Sequence, residues 1–398
     1  MTGRWLTILG VGEDGALSSA ARASIDAATA IFGGARHLAL LGPTKAAQRP
    51  WPSPFALGVA EVMERRGAPT VVLASGDPFF YGVGSTLAEK IARDEIFCLP
   101  APSTFALVAA RLAWSQQDCV LLSLHGRAFE RVTPHLQPGR RLIALSWDET
   151  TPARLAEHLI ARGFGRSVLH VLENLGGPRE RIRSAAAAEF AFQDISPLNA
   201  VAVELIADAD ARVIPLTPGL PDEWFEHDGQ LTKREVRAVT LSGLAPKKGE
   251  RLWDIGAGAG SIAIEWMLAD PANRAVAIER DETRASRIAR NAAALGVPDL
   301  EILRGAAPAA LAGLEPPDAI FIGGGGRDAI EAAWAALPGG GRIVVNAVTL
   351  ETQALLSDLF AARGGDLVEV RIAKARAVGG FHALDPAMAV LQWRGQKP

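Results

Sequence analysis

Three glycines at alternate positions, Gly256, Gly258 and Gly260, sit in the stretch RLWDIGAGAGSIAIEW, between an apolar run that reads as a strand and one that reads as a helix. Such a turn lets the polar part of a ligand reach backbone N–H groups at a helix start, where a Cβ would stand in the way. Glu279 closes the next apolar run, RAVAIER, about 20 residues on, where a carboxylate can accept hydrogen bonds from both hydroxyls of a ribose. The dinucleotide pattern GxGxxG would place glycine or alanine at 261, where this chain has Ser261. Asp254, just ahead of the turn, suits the ammonium of a methionine tail and would repel a pyrophosphate. The loop Gly256, Ala257, Gly258, Ala259, Gly260, taken with Glu279, therefore reads as a cradle for S-adenosylmethionine in preference to NAD. The bland alternative is a glycine turn of an α/β fold that holds nothing.

A second glycine turn lies near the N-terminus. Gly10, Gly12 and Gly15 match GxGxxG better than the first set does. The context opposes NAD all the same. The following strand, ATAIFGG, ends in Gly33 and Gly34 with no acid for a ribose, and Glu13 and Asp14 occupy the place a pyrophosphate would take. Further on, VVLASGDPFFYGVGS ends an apolar run in Gly76-Asp77-Pro78, which reads as a ligand turn or as a plain strand-end turn.

Strands and helices must position these turns. RWLTILG, ATAIFGG, TVVLASG, VLLSLHG, RLIALSW, SVLHVLEN and NAVAVELIA read as short buried strands, separated by helices such as ALSSAARASIDAA and TPARLAEHLIARG. The proline- and acid-rich DADARVIPLTPGLPDEWFEHDGQ breaks the pattern. After it come a helix from Leu231, a strand at RLWDIG, a helix at SIAIEWMLAD, a strand at RAVAIER and a helix at DETRASRIARNAAALG. Strands follow near LEILRG, DAIFIGG and GRIVVNAV, and a terminal hairpin spans DLVEV to LQWRG. Each half reads α/β with a mostly parallel sheet. The halves show no repeat of one another. The expected division is 1–210, a linker at 211–222, and 223–398.

Composition agrees with two globular domains: 398 residues exceed the roughly 250 to 300 at which a single core splits. The net charge of -3 gives no case for binding nucleic acid by phosphate attraction. The two cysteines, Cys98 and Cys119, form no CxxC, and the seven histidines form no metal-ligand cluster, so a reduced compartment and no metal are expected. Neither a secretory leader nor a membrane-length apolar run is visible, which points to the cytoplasm.

ILGVGEDG, GDPFFYGVG, PAPSTFALVAARLAW, LLSLHGR and VLENLGGPRERI resemble the tetrapyrrole (corrin and porphyrin) methyltransferases. GLPDEWFEHDGQLTKREVRA, DIGAGAGSIAIEW and VVNAVTLET resemble the decarboxylating precorrin methyltransferases of cobalamin synthesis. The order of the two, over nearly the whole chain, resembles the fused two-domain members of that group. The resemblance implies a two-lobed tetrapyrrole methyltransferase fold followed by a Rossmann-like methyltransferase fold, each binding S-adenosylmethionine. It implies methylation of a precorrin at C5 in the first domain, and methylation at C15 with loss of the C12 acetate carboxyl in the second, from precorrin-6B to precorrin-8X. A cobalt-precorrin version and a non-catalytic tetrapyrrole-binding relative are the alternatives.

Carried over by the resemblance, the cofactor positions are Gly10, Gly12, Gly76, Asp77, Phe80, Ser103 and Thr104 in the first half, and Thr232, Gly256 to Gly260, Glu279 and Ala307 in the second. Relatives often carry an acid where Ala306 stands, so the adenine contact must come from backbone or be absent. A polycarboxylate substrate asks for cations: Arg127, Arg179, Arg181, Arg183, Arg371, Lys374 and Arg376 are candidates, against the reading of solvated surface charge. His125 and His382 are candidates to bond substrate, against a structural role. The run Gly323 to Gly326 could admit the tetrapyrrole or be a flexible turn, and Trp224, Trp253, Trp266 and Trp334 suit a core better than a platform. The reaction asks for alignment and exclusion of water more than for a nucleophile, and no catalytic residue is assigned. The expected partners are a small tetrapyrrole substrate and further copies of the chain in a homo-oligomer.

Overall fold

The computed structural model describes residues 3–398, which divide into two compact units, one running to Arg127 and including Gln137–Arg212, the other made of Ala128–Leu136 and Val213–Pro398. The first unit begins with strands β1 (Leu6–Val11), β2 (Ala30–Gly33), β3 (Ala47–Pro50), β4 (Thr70–Ser75) and β5 (Ile96–Leu99). They form one parallel sheet in the order β3-β2-β4-β1-β5. Its centre is buried: β2 along its length and β4 except at Ser75, as expected where helices cover both faces. Strands β6 (Cys119–Ser123), β7 (Arg141–Leu145), β8 (Val168–Glu173), β9 (Arg181–Ala186) and β10 (Asn199–Glu204) form the second sheet of this unit, in the order β6-β7-β10-β8-β9.

That second sheet corrects the expectation of a mostly parallel arrangement. Only β6 and β7 run parallel; the other pairs are antiparallel. Three strands escaped the sequence reading. The exposed AQRP of β3 carries a proline at an edge, the short β5 lacks alternation, and β9 alternates charge on an edge.

The second unit holds β11 (Arg251–Ile255), β12 (Arg274–Glu279), β13 (Glu301–Arg304), β14 (Ala319–Ile322), β15 (Arg342–Ala347), β16 (Asp366–Val370), β17 (Ala373–Val378), β18 (Phe381–Pro386) and β19 (Val390–Gln396). Seven of these make one sheet in the order β13-β12-β11-β14-β15-β19-β16, parallel from β13 to β15 and antiparallel at β19 and β16. The expected terminal hairpin is thus two nested pairs. The outer strands β16 and β19 extend the main sheet, and the inner β17 and β18 form a ribbon exposed along both strands. The chain leaves β11 toward β12 on one side and returns to β14 on the other. That reversal of direction opens a crevice at the carboxyl ends of the central strands.

The expected linker is packed. Ile214, Leu220 and Phe225 are buried in the core beneath the glycine turn, together with Ile262, Trp266 and Ile288. The amides of Gly219 and Leu220 donate to the buried Glu265 carboxylate at 2.6 and 2.9 Å. Residues 128–136 also belong to this unit: Arg131 pairs with Asp299, and Gly296 lies against Thr133 and Pro134. Trp253 and Trp266 are core residues, while Trp334 packs on the buried Trp393 with ring centres 5.7 Å apart. No helix among the described residues is long and apolar enough to cross a membrane.

Candidate functional site

In the second unit the helix Ser261–Ala269 follows β11 through the glycine turn, and seven of its residues from Ser261 to Met267 are buried. Gly256, Gly258 and Gly260 all take positive φ, at 73°, 58° and 76°. Gly258 shows why no side chain is tolerated: a Cβ there would lie 2.8 Å from the Gln230 carbonyl oxygen. Glu279 ends β12, 5% exposed, and its two oxygens accept the amides of Gly258 at 2.9 Å and Asp281 at 3.0 Å. These bonds fix the carboxylate beside the turn and leave lone pairs on both oxygens.

A cleft of about 1360 Å³ opens over these residues. Thr232, Gly256, Ala257, Gly258, Glu279, Ala306 and Ala307 line one part of it. The run Gly323 to Gly326, Asn346, Lys374 and the segment Asp385 to Met388 line another. The volume exceeds the roughly 300 to 1,000 Å³ of an ordinary small-molecule pocket, so it has room for two ligands. The glycine run stands beside the glycine turn, since a Cβ on Gly256 would come 3.0 Å from the Gly324 oxygen.

Five residues expected at the site lie outside the cleft lining: Ala259, Gly260, Asp254, His382 and Arg376. Ala259 and Gly260 turn away from the cleft: Ala259 is 1% exposed with its carbonyl bonded to Asn291 at 2.9 Å, and Gly260 faces Ile288. Asp254 is 1% exposed and does not line the cleft. Its Oδ2 accepts the Ala263 amide at 3.0 Å, satisfying the helix start instead of reaching a ligand, and its Oδ1 has no partner among the described residues. Burial raises its carboxyl to about 7, opposed by the Ala263 amide and helped by nearby Glu279. His382 is paired with Ala377, on the face of the ribbon opposite Lys374 and Asp385, which line the cleft. Arg376 shares the face of Lys374 but sits 3.4 Å from Asp385, outside the lining.

In the first unit the carboxyl ends of β1, β4 and β5 bring Gly10, Gly76 and Ser103 together. A Cβ on Gly10 would stand 2.0 Å from the Gly76 oxygen and 2.3 Å from the Ala101 nitrogen, so only glycine fits. Gly12 bonds through its carbonyl to the Gly15 amide, and the loop acids are locally satisfied: Glu13 pairs with Arg36, and Asp14 accepts the Ala16 amide. Asp77 accepts the Phe79 amide at 2.9 Å. Ser103 caps the helix Thr104–Leu112 by accepting the Ala106 amide at 3.2 Å. Phe80 packs on Phe105 at 4.7 Å, so its ring belongs to a core cluster.

Of the cation candidates here, Arg127 is exposed and stacks over Tyr81, 4.6 Å from the ring centre, while Arg179 is exposed. Arg181 and Arg183 are committed: both pair with the buried Glu173, at 2.6 and 3.2 Å, tying β9 to β8. His125 lies with its ring 6.4 Å from that of Trp147, and in the second unit exposed Arg371 pairs with Glu369.

Sequence reasoning missed two buried polar clusters of the second unit. Arg237, fully buried, bonds Glu265 at 2.5 Å, Asp222 at 3.1 Å and the Thr232 carbonyl at 2.5 Å. Thr240, Asn346, Gln392 and Arg394 form the other. An arginine within a helix pattern reads as solvated, and pairings between residues over a hundred positions apart leave no periodic signal.

Two α/β units, each with a glycine turn at the carboxyl ends of a parallel sheet, define a tandem methyltransferase-like protein. A family described as tetrapyrrole (corrin/porphyrin) methylases matches residues 7–191, and one described as precorrin methyltransferase domain matches residues 223–397. A Sinorhizobium protein named precorrin-6Y C(5,15)-methyltransferase [decarboxylating] is 53% identical over 99% of this chain and 96% of its own. One of the same name from Mycobacterium tuberculosis is 40% identical over 98% of each. The crystal structure of the C-terminal domain of precorrin-6Y C5,15-methyltransferase from Rhodobacter capsulatus, 45% identical, covers 46% of this chain and 100% of its own with a TM-score of 0.45. The chain belongs to the precorrin-6Y C(5,15)-methyltransferase (decarboxylating) family.

Proposed function

We propose that the chain methylates a precorrin twice, using S-adenosylmethionine in each unit: at C5 in the first, and at C15 with decarboxylation of the C12 acetate in the second. The observation that carries this reading is the cleft of the second unit, where a glycine turn and a buried, anchored Glu279 share one cavity with a wall of glycines, Asn346 and Lys374. Those residues fit the cofactor. The Glu279 lone pairs suit ribose hydroxyls, the turn admits the methionine part, and Ala306 and Ala307 offer backbone to adenine. In the first unit Gly10, Gly12, Gly76, Asp77, Ser103 and Thr104 supply a backbone-lined edge for the same cofactor.

When bound, the cofactor supplies a methyl group activated on a sulfonium. The chain's own task is to align and to exclude water. Glu279 and the Gly256–Gly258 backbone hold the donor's position. Lys374, paired with Glu235 at 3.0 Å, and Arg327, paired with Asp358 at 3.1 Å, lie on or beside the acceptor part and exchange those partners for substrate carboxylates. Arg127 and Arg179 are candidates for the same role in the first unit. The exposed Val378 and Phe381, cross-strand partners on one face of the ribbon, support a homo-oligomer, which light scattering checks, and a cytoplasmic location belongs to the same reading.

Mass spectrometry of products from precorrin-6B tests the reading. Two methyl additions and one loss of carbon dioxide are expected, and calorimetric titration should find two S-adenosylhomocysteine sites per chain. Absence of methyl transfer, or one site only, refutes it.

A further inference from the structure

We propose that Asn346 binds the acceptor in the second unit, orienting the acetate carboxylate that is lost, and that Gln392 is the residue that positions it. This rests on the activity proposed above. Asn346 lies at the carboxyl end of β15 and lines the cleft. The sheet order puts β15 two strands from β11 and three from β12. At about 4.8 Å per strand this is roughly 14 Å from the Glu279 strand, on the acceptor side of the cleft.

The carboxamide is held from behind in one orientation. Arg394 Nε donates to Gln392 Oε1 at 2.7 Å, and a guanidinium can only donate, so the oxygen of Gln392 must face it. Gln392 Nε2 therefore points the other way and donates to Asn346 Oδ1 at 2.8 Å and to Thr240 Oγ1 at 3.1 Å. The Thr240 hydroxyl hydrogen is committed to the Val236 carbonyl at 2.8 Å, so its oxygen accepts from Asn346 Nδ2 at 2.9 Å. Thr240 and Gln392 are both fully buried, so water does not compete for these bonds. Asn346 and Gln392 are direct partners across β15 and β19, which keeps both side chains on one face. The layer uses one Nδ2 hydrogen and one Oδ1 lone pair of Asn346. One of each is left for a ligand, with their identities fixed by a chain that ends on Arg394.

A neutral donor suits the carboxylate that leaves. In decarboxylation the C–C bond to the carboxyl breaks, its electron pair passes into the conjugated macrocycle, carbon dioxide departs, and the side-chain carbon takes a proton from solvent. A cation on that carboxylate would stabilise the charge where it starts and so raise the barrier. A single amide hydrogen orients the group with far less of that penalty. Cations such as Lys374 suit the carboxylates that stay.

The test uses the full chain with precorrin-6B. Asn346→Leu keeps the volume and adds no charge beside the leaving carboxylate, Gln392 still donates to Thr240, and the free N–H is gone. Carbon dioxide release and C15 methylation should fall about 10- to 150-fold in kcat/KM, the range of a lost hydrogen bond to a charged group. S-adenosylhomocysteine affinity should stay within about twofold in both units. Gln392→Glu accepts from Arg394 and must then receive the Asn346 Nδ2, which turns the carboxamide over. It should raise KM for precorrin-6B without moving S-adenosylhomocysteine affinity. Unchanged carbon dioxide release in the Asn346 variant, or an equal loss of S-adenosylhomocysteine affinity, overturns the proposal. An inactive wild type instead refutes the activity itself, and this inference with it.

Discussion

The carboxylate of Glu279 accepts the amide of Gly258 at 2.9 Å, so the acid and the glycine turn of the second unit are one rigid piece. Its other oxygen accepts the Asp281 amide, and the side chain is buried to 5% exposure. Glu279→Gln turns an amide NH₂ toward one of these N–H groups and gives up the charge. S-adenosylhomocysteine affinity in the second unit should fall about 10- to 150-fold. Because the side chain is a structural tie as well, stability should drop by about 1 to 3 kcal/mol. Titration calorimetry and thermal melts check both, and the first unit should keep its affinity.

Gly10 offers the matching test in the first unit. Its missing Cβ leaves room for the Gly76 carbonyl and the Ala101 amide, which bond to each other at 3.1 Å. Gly10→Ala must force the ends of β4 and β5 apart. C5 methylation should be lost while C15 methylation and carbon dioxide release continue, as product masses would show. Retained C5 methylation would mean that this edge does not hold the donor.

Much of the site was legible because it is local. The turn Gly256 to Gly260 and the acid Glu279 are short-range features, and glycines in tight turns leave a spacing in the sequence. The buried strands around them showed as apolar runs. What stayed hidden was the choice of partner for each polar side chain. Asp254 looked like a ligand contact, yet a neighbouring helix start claims its oxygen. Arg181 and Arg183 looked available for substrate, yet the buried Glu173 holds both. The proline-rich stretch before residue 222 looked like a linker, yet Leu220 and Glu265 tie it into the core. Each was decided by a partner that periodicity does not specify.

Arg237 measures how much that tie contributes. Its guanidinium is fully buried between Glu265, Asp222 and two backbone carbonyls, those of Leu220 and Thr232. Arg237→Met removes the cation and leaves the Glu265 charge buried, with only the Gly219 and Leu220 amides to satisfy it. A loss of about 3 to 5 kcal/mol is expected. Urea unfolding of the second unit's transition checks it. A double change, Arg237→Met with Glu265→Leu, should recover part of the loss, because no unpaired charge then remains.

Asp254 sets the pH dependence of the same unit. Burial, with a contribution from Glu279, raises its carboxyl from 3.8 to about 7. Between those values the folded chain keeps a proton that the unfolded chain has released. Stability therefore falls as pH rises through the window, and the loss is complete above about 7. Asp254→Asn has no proton to lose and can still accept the Ala263 amide through its carbonyl oxygen. Its advantage over the wild type should be absent near pH 4, grow with pH, and level off above pH 7 at no more than about 4 kcal/mol. Thermal melts from pH 4 to pH 8 would show the two curves diverging. S-adenosylhomocysteine affinity should not change, since Asp254 lies behind the turn and outside the cleft. Parallel melting curves would show that the carboxyl titrates normally, and a loss of affinity would restore Asp254 as a ligand contact.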